Sequence, residues 1–309
     1  MCVAALFILA ACGGGGETAN VSVPARDSRA AELATLKDAI VPFFRPMHVE
    51  RGDWLEGHPE DGQTFAEYTA GNPTLPTGER KTIYIQPIGT FTPEQKKVLR
   101  LTADYMSAFY GLPVRLEREK PIGTVPKEMT RTIFPNNRQI KTTYFIEDVL
   151  PKMLPNDATA FLCFTNFDLF PDPQWSFVFG QASLEGRVGV YSLYRLSDKT
   201  KTNASYDRFL DRTLKVAMHE TGHMFSMLHC TKYECLMSGT NHLAETDRRP
   251  LDVCPECMAK IAWGLKYDPA ERYKKLAAFW GKNGRPQERK RTLAMAAAIE
   301  TAKAKPGQN

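Results

Sequence analysis

The sequence predicts a mixed α/β (α+β) fold in which one long helix carries a cluster of histidines. A chain of 309 residues with 43% hydrophobic content can bury a substantial core. Strand-like and helix-like patterns alternate between residues 82 and 196, as in a mixed sheet covered by helices. Residues 206–228 then carry apolar side chains at spacings of three and four, which predicts a long helix with one buried face.

The remaining elements follow from the same patterns. Residues 41–80 are rich in Pro, Gly and charge, so we expect loops and short helices wrapped over the main domain. Thr92-Pro93-Glu94-Gln95 is a typical helix start. We predict strands at 82–88, 114–116, 142–145, 158–164 and 186–196, and helices at 30–40, 92–109, 146–153, 206–228, 255–263, 270–280 and 293–299.

The N-terminus predicts a targeting signal. Residues 1–12 are almost wholly apolar, end in Leu9-Ala10-Ala11-Cys12 and precede four glycines. This resembles a bacterial lipoprotein signal, in which Cys12 is lipidated and a flexible tether follows. No Lys or Arg precedes the apolar run, which departs from that pattern. We expect residues 13–40 to be tether and first helix, and the protein to be a cell-envelope lipoprotein of a bacterium; the alternative is a cytoplasmic protein.

The charge distribution argues against a nucleic-acid partner. Forty basic residues against thirty-five acidic ones give a formal charge of +5, and the Lys and Arg residues are scattered. We expect no nucleic-acid binding.

The predicted long helix contains His219-Glu220-Thr221-Gly222-His223. Histidines four residues apart lie about 40° apart on a helix, so His219 and His223 can bind one metal ion. Glu220 lies beside them and fits a general base.

His229 offers a third ligand if the chain turns after His223. In a continued helix His229 would lie roughly 15 Å beyond His219. The motif H-E-x-x-H-x-x-G-x-x-H has glycine at this turn, because glycine accepts left-handed backbone, but here the residue is Ser226. A left-handed serine costs on the order of 1 kcal/mol.

Four cysteines follow directly, at Cys230, Cys235, Cys254 and Cys257. The spacings C-x4-C and C-x2-C suit a structural zinc, because each short loop places two sulfurs around one ion. In an exported protein the same residues could instead form two disulfides.

These motifs resemble those of the archaemetzincins, a family of metzincin-clan zinc peptidases. The resemblance covers roughly residues 40–280. It rests on the three histidines, on C-x4-C-x-M with the later C-x2-C, and on the segments Gly52-Asp53-Trp54-Leu55, Ile83-Tyr84-Ile85-Gln86-Pro87-Ile88-Gly89, Phe179-Gly180-Gln181-Ala182, Arg248-Arg249-Pro250-Leu251 and Cys254-Pro255-Glu256-Cys257.

The resemblance implies a metzincin-like mixed sheet with a small, zinc-stabilised C-terminal subdomain. It implies two zinc ions, one catalytic and one structural. Met237 becomes the Met-turn residue beneath the catalytic ion, and the strand at 188–194 becomes the upper edge of the cleft. The ligands that it implies are His219, His223 and His229 for the catalytic zinc, and Cys230, Cys235, Cys254 and Cys257 for the structural zinc.

We therefore expect a metallopeptidase domain over residues 41–280, divided near residue 225, and a helical extension at 281–309. The substrate is a peptide or protein, the general base is Glu220, and the protein is a monomer. The alternative is a non-catalytic zinc-binding module, if Ser226 distorts the site. We expect the cysteine site to hold the turn at Ser226 in place.

Overall fold

A computed structural model describes residues 28–134, 137–183, 185–197 and 202–304. Residues 1–12, with the predicted signal and Cys12, lie outside this part of the chain, as does most of the predicted tether. None of the described helices is long and apolar enough to cross a membrane.

The larger sheet has five strands in the order β2-β1-β5-β8-β7. The first four are parallel, and β7 pairs antiparallel with β8 at one edge. A second sheet of three strands has the order β3-β4-β6. The described strands are β1 (Thr82–Ile88), β2 (Val114–Leu116), β3 (Thr130–Phe134), β4 (Asn137–Lys141), β5 (Ala158–Thr165), β6 (Asp168–Phe170), β7 (Gly180–Ala182) and β8 (Val188–Ser192).

Helices pack on both faces of the larger sheet. A 3-10 helix at Lys37–Phe43 follows the first α-helix, another lies at Lys127–Met129, and a π-helix lies at Tyr144–Val149. The described α-helices are α1 (Ser28–Leu36), α2 (Trp54–Gly57), α3 (Phe65–Ala70), α4 (Pro93–Tyr110), α5 (Asn203–Met224), α6 (Leu243–Arg248), α7 (Pro255–Gly264), α8 (Pro269–Lys282) and α9 (Pro286–Ala304).

The central strands β1 and β5 are buried along their whole length. Parallel strands that are covered on both faces have near-continuous apolar sequences, which is why the patterns at 82–88 and 158–165 are so marked. Ile83, Ile85 and Leu162 belong to the main core with α4 and α5. Tyr84 and Phe161 point to the opposite face and join a smaller core with the π-helix.

Helix α5 positions the histidine motif as the sequence predicts. The residues predicted to form its buried face, Leu210, Leu214, Met218 and Thr221, are all buried. The Thr202 side chain caps its N-terminus, and the helix ends at Met224, directly after His223.

The predicted appended helix is confirmed as α9. It packs on α8 and on the 3-10 helix at Lys37–Phe43, and Met295, Ala296 and Ile299 enter the main core. Arg291 Nη2 donates to the carbonyl of Phe43 at 2.9 Å. The helix is therefore part of the folded unit, although it lies outside the region of resemblance.

Three predicted elements are wrong. The strand predicted at 188–194 is not an edge of the sheet, because β8 lies between β5 and β7 and ends at Ser192. The short segment Gly180–Ala182 pairs outside it and forms the edge. The residues predicted as a strand at 142–145 are helical instead. They lead into a π-helix that begins at Tyr144 and ends at Val149, which takes the place of the helix predicted at 146–153.

Candidate metal centre and active-site pocket

His219 and His223 face each other on the last turns of α5. The Nδ1 atom of His219 donates to the carbonyl of Leu236 at 2.9 Å, and that of His223 donates to the carbonyl of Met227 at 2.7 Å. Since a carbonyl only accepts, both Nδ1 atoms carry the proton and both Nε2 atoms carry a lone pair. The two Nε2 atoms are nevertheless only 3.0 Å apart.

The chain turns back at Ser226, which has a φ of +60°. This confirms the left-handed backbone predicted at the position where the long motif has glycine. The Met227 amide donates to the carbonyl of Gly222 at 3.1 Å and closes the turn. His229 consequently lies next to the helix, with its ring centroid 5.2 Å from that of His219 and 5.1 Å from that of His223.

Residues 63–74 hold this turn from outside. Gln63 Nε2 donates to the carbonyl of Ser226 at 3.3 Å, and Gln63 Oε1 accepts from the Leu228 amide at 3.2 Å. The Tyr68 hydroxyl donates to the carbonyl of Phe225 at 2.9 Å. The sequence does not predict these contacts. The cysteine site is the only support for the turn that the sequence predicts.

Ser226 also uses its side chain. Its Oγ accepts a hydrogen bond from the Thr74 amide at 2.9 Å. Glycine, the usual residue at this position, has no side chain that could accept this hydrogen bond. Serine therefore lacks the conformational freedom of glycine but gains a contact to residues 63–74.

Glu60 orients His229. Its carboxylate accepts from His229 Nδ1, with distances of 2.8 and 3.0 Å to the two oxygens, and from Trp54 Nε1 at 2.6 Å. Burial opposes ionisation, but the hydrogen bonds from His229 and Trp54 outweigh it and lower the pKa of Glu60. No spacing connects Glu60 to a histidine 169 residues away, so the sequence analysis missed it.

The three imidazoles fit a metal ion. With Nδ1 of His229 donating to Glu60, its Nε2 also carries a lone pair, and one ring nitrogen from each of the three residues lies within 4.8 Å of the others. Converging lone pairs repel one another unless a cation lies between them. Burial, followed by the neighbouring His229, lowers the pKa of His219 to about 3, so the ring is in the neutral form that binds metals.

Glu220 lies in the same pocket with an unused acceptor. The residue is buried, and its Oε2 has no hydrogen-bond partner in the described part of the chain. Burial raises the pKa of this carboxyl to about 8 in the metal-free protein. A nearby cation favours the ionised form, so metal binding and ionisation of Glu220 support each other.

Met237 lies under the histidines, as the resemblance implied. A Cβ atom added to Gly222, which lies between His219 and His223 on α5, would come within 2.5 Å of the Met237 sulfur. The carbonyl of Met237 accepts from the Cys230 amide at 2.8 Å. Met237 therefore supports the floor of the site and connects it to the first cysteine.

The four cysteines form a second cluster. They are buried, each is a free thiol, and their sulfurs lie within 4.8 Å of one another. The Sγ atoms of Cys230 and Cys254 are 3.5 Å apart. Four thiolates that bind one zinc ion tetrahedrally at about 2.3 Å have sulfurs roughly 3.8 Å apart, which is close to this distance. Hydrogen bonds from the neighbouring thiols lower the pKa of Cys230. Cys254 directly precedes helix α7.

A third group, Asp53, His242 and Glu245, does not fit a metal. Arg248 donates to both oxygens of Asp53, and Arg249 donates to Glu245 at 2.8 Å. The two carboxylates are thus already matched by guanidinium groups. His242 caps helix α6 by accepting from the Glu245 amide.

The histidine cluster opens into a pocket of roughly 630 Å³, including solvent at its mouth. One wall is the edge of the larger sheet, at Val178, Phe179 and Gly180. The other walls come from α5, from the segment after Met237 and from Trp54 and Arg249. The Trp54 ring packs against Gly239, where any side chain would collide with it.

The edge strand β7 has unused backbone groups. The Phe179 carbonyl accepts from the Ser192 amide, and the Ser183 amide donates to the Val188 carbonyl, both at 2.8 Å. In an antiparallel pair, bonded residues alternate with residues whose amide and carbonyl point away. Gly180 and Ala182 therefore direct these groups away from β8, and no described strand pairs with them.

Comparisons with known proteins show the family to which the chain belongs. Residues 127–263 match Peptidase family M54. Archaemetzincin-2 of Homo sapiens is 33% identical over 288 residues, which cover 80% of this chain and 78% of the human protein. Archaemetzincin of Pyrococcus abyssi is 31% identical over 185 residues, which cover 59% of this chain and 95% of that protein.

A solved structure agrees as well. The crystal structure of archaemetzincin from Methanopyrus kandleri matches with a TM-score of 0.50 and 25% identity, covering 62% of this chain and 98% of that one. The predicted mixed α/β fold is thereby confirmed. The chain belongs to the archaemetzincin family, peptidase family M54, and is a metallopeptidase.

Proposed function

We propose that this protein hydrolyses peptide bonds at a zinc ion held by His219, His223 and His229, with Glu220 as the general base. The observation that carries the proposal is the convergence of three imidazole lone pairs beside the unpartnered Oε2 of Glu220. We further propose that Cys230, Cys235, Cys254 and Cys257 hold a second, structural zinc.

A zinc ion in the histidine site would lower the pKa of a water molecule toward about 7 and polarise the scissile carbonyl. Glu220 takes a proton from the attacking water and later gives it to the nitrogen of the leaving amine, which completes the cleavage. Because the pocket buries Glu220, its carboxylate is held in place and is not surrounded by bulk water.

The substrate would bind in extended form along β7. The free amide and carbonyl groups of Gly180 and Ala182 can pair with a peptide backbone, as in other complexes formed by strand addition. This gives affinity for peptides without selecting a sequence. The strand that would pair with the substrate is therefore the one at 180–182 and not the one at 188–194.

The alternative of a non-catalytic zinc module rested on a distorted turn at Ser226. The left-handed φ and the hydrogen bonds from Gln63, Tyr68 and Thr74 support an undistorted turn, and so favour the enzyme.

The test is to measure metal content and cleavage together. Glu220→Gln should retain both zinc ions by mass spectrometry of the metals and lose at least about 100-fold in the cleavage of a peptide library. Glu185→Gln, a change of the same kind at an exposed turn, is the matched control. Undiminished cleavage by Glu220→Gln would refute the role of Glu220, and a protein with one zinc and two disulfides would refute the cysteine site. If the unaltered protein contains both zinc ions but cleaves no peptide, it is the non-catalytic module.

We also propose that Cys12 is lipidated and attaches the protein to a bacterial cell envelope. The support is the apolar run before Cys12 and the glycines after it. Mass spectrometry of the N-terminus of the mature protein should find a lipid on Cys12. An unprocessed Met1 in the soluble fraction would contradict the proposal and favour the cytoplasm.

A further inference from the structure

We propose that the pocket beside the histidine site recognises a carboxylate of the substrate through Arg249 and Lys215. The inference rests on the proposed function and adds a substrate class to it: peptides with a carboxylate on a residue next to the scissile bond. That carboxylate is either an acidic side chain or the free C-terminus of the peptide.

Arg249 lines the pocket and has donors to spare. It directly follows helix α6, and only 4% of the residue is exposed. Its Nη2 donates to Glu245 at 2.8 Å, but its Nε and Nη1 are buried and have no partner in the described part of the chain. Buried N–H groups of a guanidinium are nearly always paired, because leaving them unpaired is costly. Two unpaired donors beside an active site therefore point to a ligand.

Lys215 lines the same pocket one helical turn before His219. Its Nζ donates to the carbonyls of Thr246 and Asp247 at 2.9 and 3.1 Å. An ammonium group has three donors, so one is left. The two carbonyls hold the ammonium group in position.

The carboxylates nearest to Lys215 are already paired with arginines. Asp211 and Asp247 attract its charge, but Asp211 is paired by both its oxygens with Arg285 and Asp247 by both its oxygens with Arg212. Glu245 is paired with Arg249. Lys215 has no carboxylate within ion-pair distance in the described part of the chain. A buried cation without an anion is costly, and a carboxylate that enters the pocket would supply the missing charge.

The chemistry favours a carboxylate over an amide. A carboxylate accepts from Arg and Lys together, in charge-assisted bonds that are stronger than neutral ones. An uncharged amide of the same shape would leave the charge of Lys215 unmatched. A site built around such donors discriminates against an analogue that lacks the group.

The test uses pairs of peptides that differ only in Glu against Gln at one position, with both ends blocked, and maps the cleaved bonds by mass spectrometry. We expect kcat/KM to be at least about 10-fold higher for Glu next to the scissile bond. A third peptide carries Gln there but ends in a free carboxylate one residue later, which separates the two sources of the charge.

Lys215→Met should reduce the preference for Glu to about 3-fold or less, because only Arg249 is then left to bind the carboxylate. Lys96→Met, which removes an exposed lysine paired with Glu119 on the surface, should leave the preference intact. Arg249→Met would leave Glu245 buried without its partner, so Lys215→Met is the more informative variant. Equal cleavage of Glu and Gln peptides by the unaltered protein would overturn the inference.

A failure of the proposed function gives a different result. If no peptide is cleaved, binding of the fluorescently labelled Glu and Gln peptides to the zinc-loaded Glu220→Gln protein is compared by anisotropy. Tighter binding of the Glu peptide, lost in Lys215→Met, would support the carboxylate pocket in a protein without the proposed activity. Equal affinities would overturn the pocket as well.

Discussion

Replacing Ser226 by glycine and by alanine measures what the turn between His223 and His229 costs. Serine in left-handed backbone costs about 1 kcal/mol, and its Oγ contributes about 1 kcal/mol by accepting from the Thr74 amide at 2.9 Å. Ser226→Gly removes both terms, so the free energy of unfolding should change by less than about 1 kcal/mol. Ser226→Ala keeps the strain and loses the hydrogen bond, and should destabilise the protein by about 1–2 kcal/mol.

The expected order, glycine more stable than alanine, is the reverse of the usual one, in which alanine exceeds glycine by about 0.5–1 kcal/mol. Urea denaturation followed by tryptophan fluorescence, at one fixed free zinc concentration, gives the comparison. Ser107 on α4 is a matched control, because it lies in ordinary helical backbone and alanine should be the more stable there. If alanine is as stable as glycine at position 226, the left-handed turn does not persist in solution.

Three other changes test the residues that support the two proposed metal sites. Glu60→Ala should lower zinc affinity about 10–100-fold, measured in competition with a coloured chelator, because the Nδ1 of His229 loses its acceptor. The control Glu56→Ala should not lower it, and an equal loss in both variants would refute the role of Glu60. Gly222→Ala should destabilise the protein by about 1–3 kcal/mol in urea, because the new methyl group would meet the buried sulfur of Met237 at 2.5 Å; an unchanged midpoint would show that Met237 moves freely. Cys257→Ser should leave one zinc ion per chain and lower the melting temperature, and two retained ions would contradict the four-cysteine site.

The features that could be predicted from the sequence are those that depend on neighbouring residues. Helix α5 follows from apolar spacing, and the placement of His219 and His223 follows from helix geometry. The left-handed conformation of Ser226 follows because a straight helix would carry His229 out of reach. In each case the relevant residues lie within a few turns of one another.

The features that could not be predicted depend on contacts between distant parts of the chain. The order of strands in the sheet is not contained in any strand's own pattern, so the strand at 188–194 was given the edge position that belongs to the segment 180–182. Glu60 is 169 positions from His229 and Gln63 is 163 positions from Ser226, with no spacing rule that connects them. In the sequence Arg249 belongs only to a segment that resembles the family, because the lack of a partner for its guanidinium is a property of the folded protein.

The contacts that the sequence does not predict all come from the segment 54–74, so this segment borders the proposed active site. Trp54 fills the space left by Gly239, Glu60 orients His229, and residues 63–74 bond to both sides of the turn at Ser226. Helix α5 alone positions two of the proposed zinc ligands, but the third, His229, depends on a turn that α5 does not determine. The segment 54–74 therefore supports the proposed metal centre, although none of its residues is among the proposed ligands. A change in this segment should alter zinc affinity before it alters the stability of the sheet.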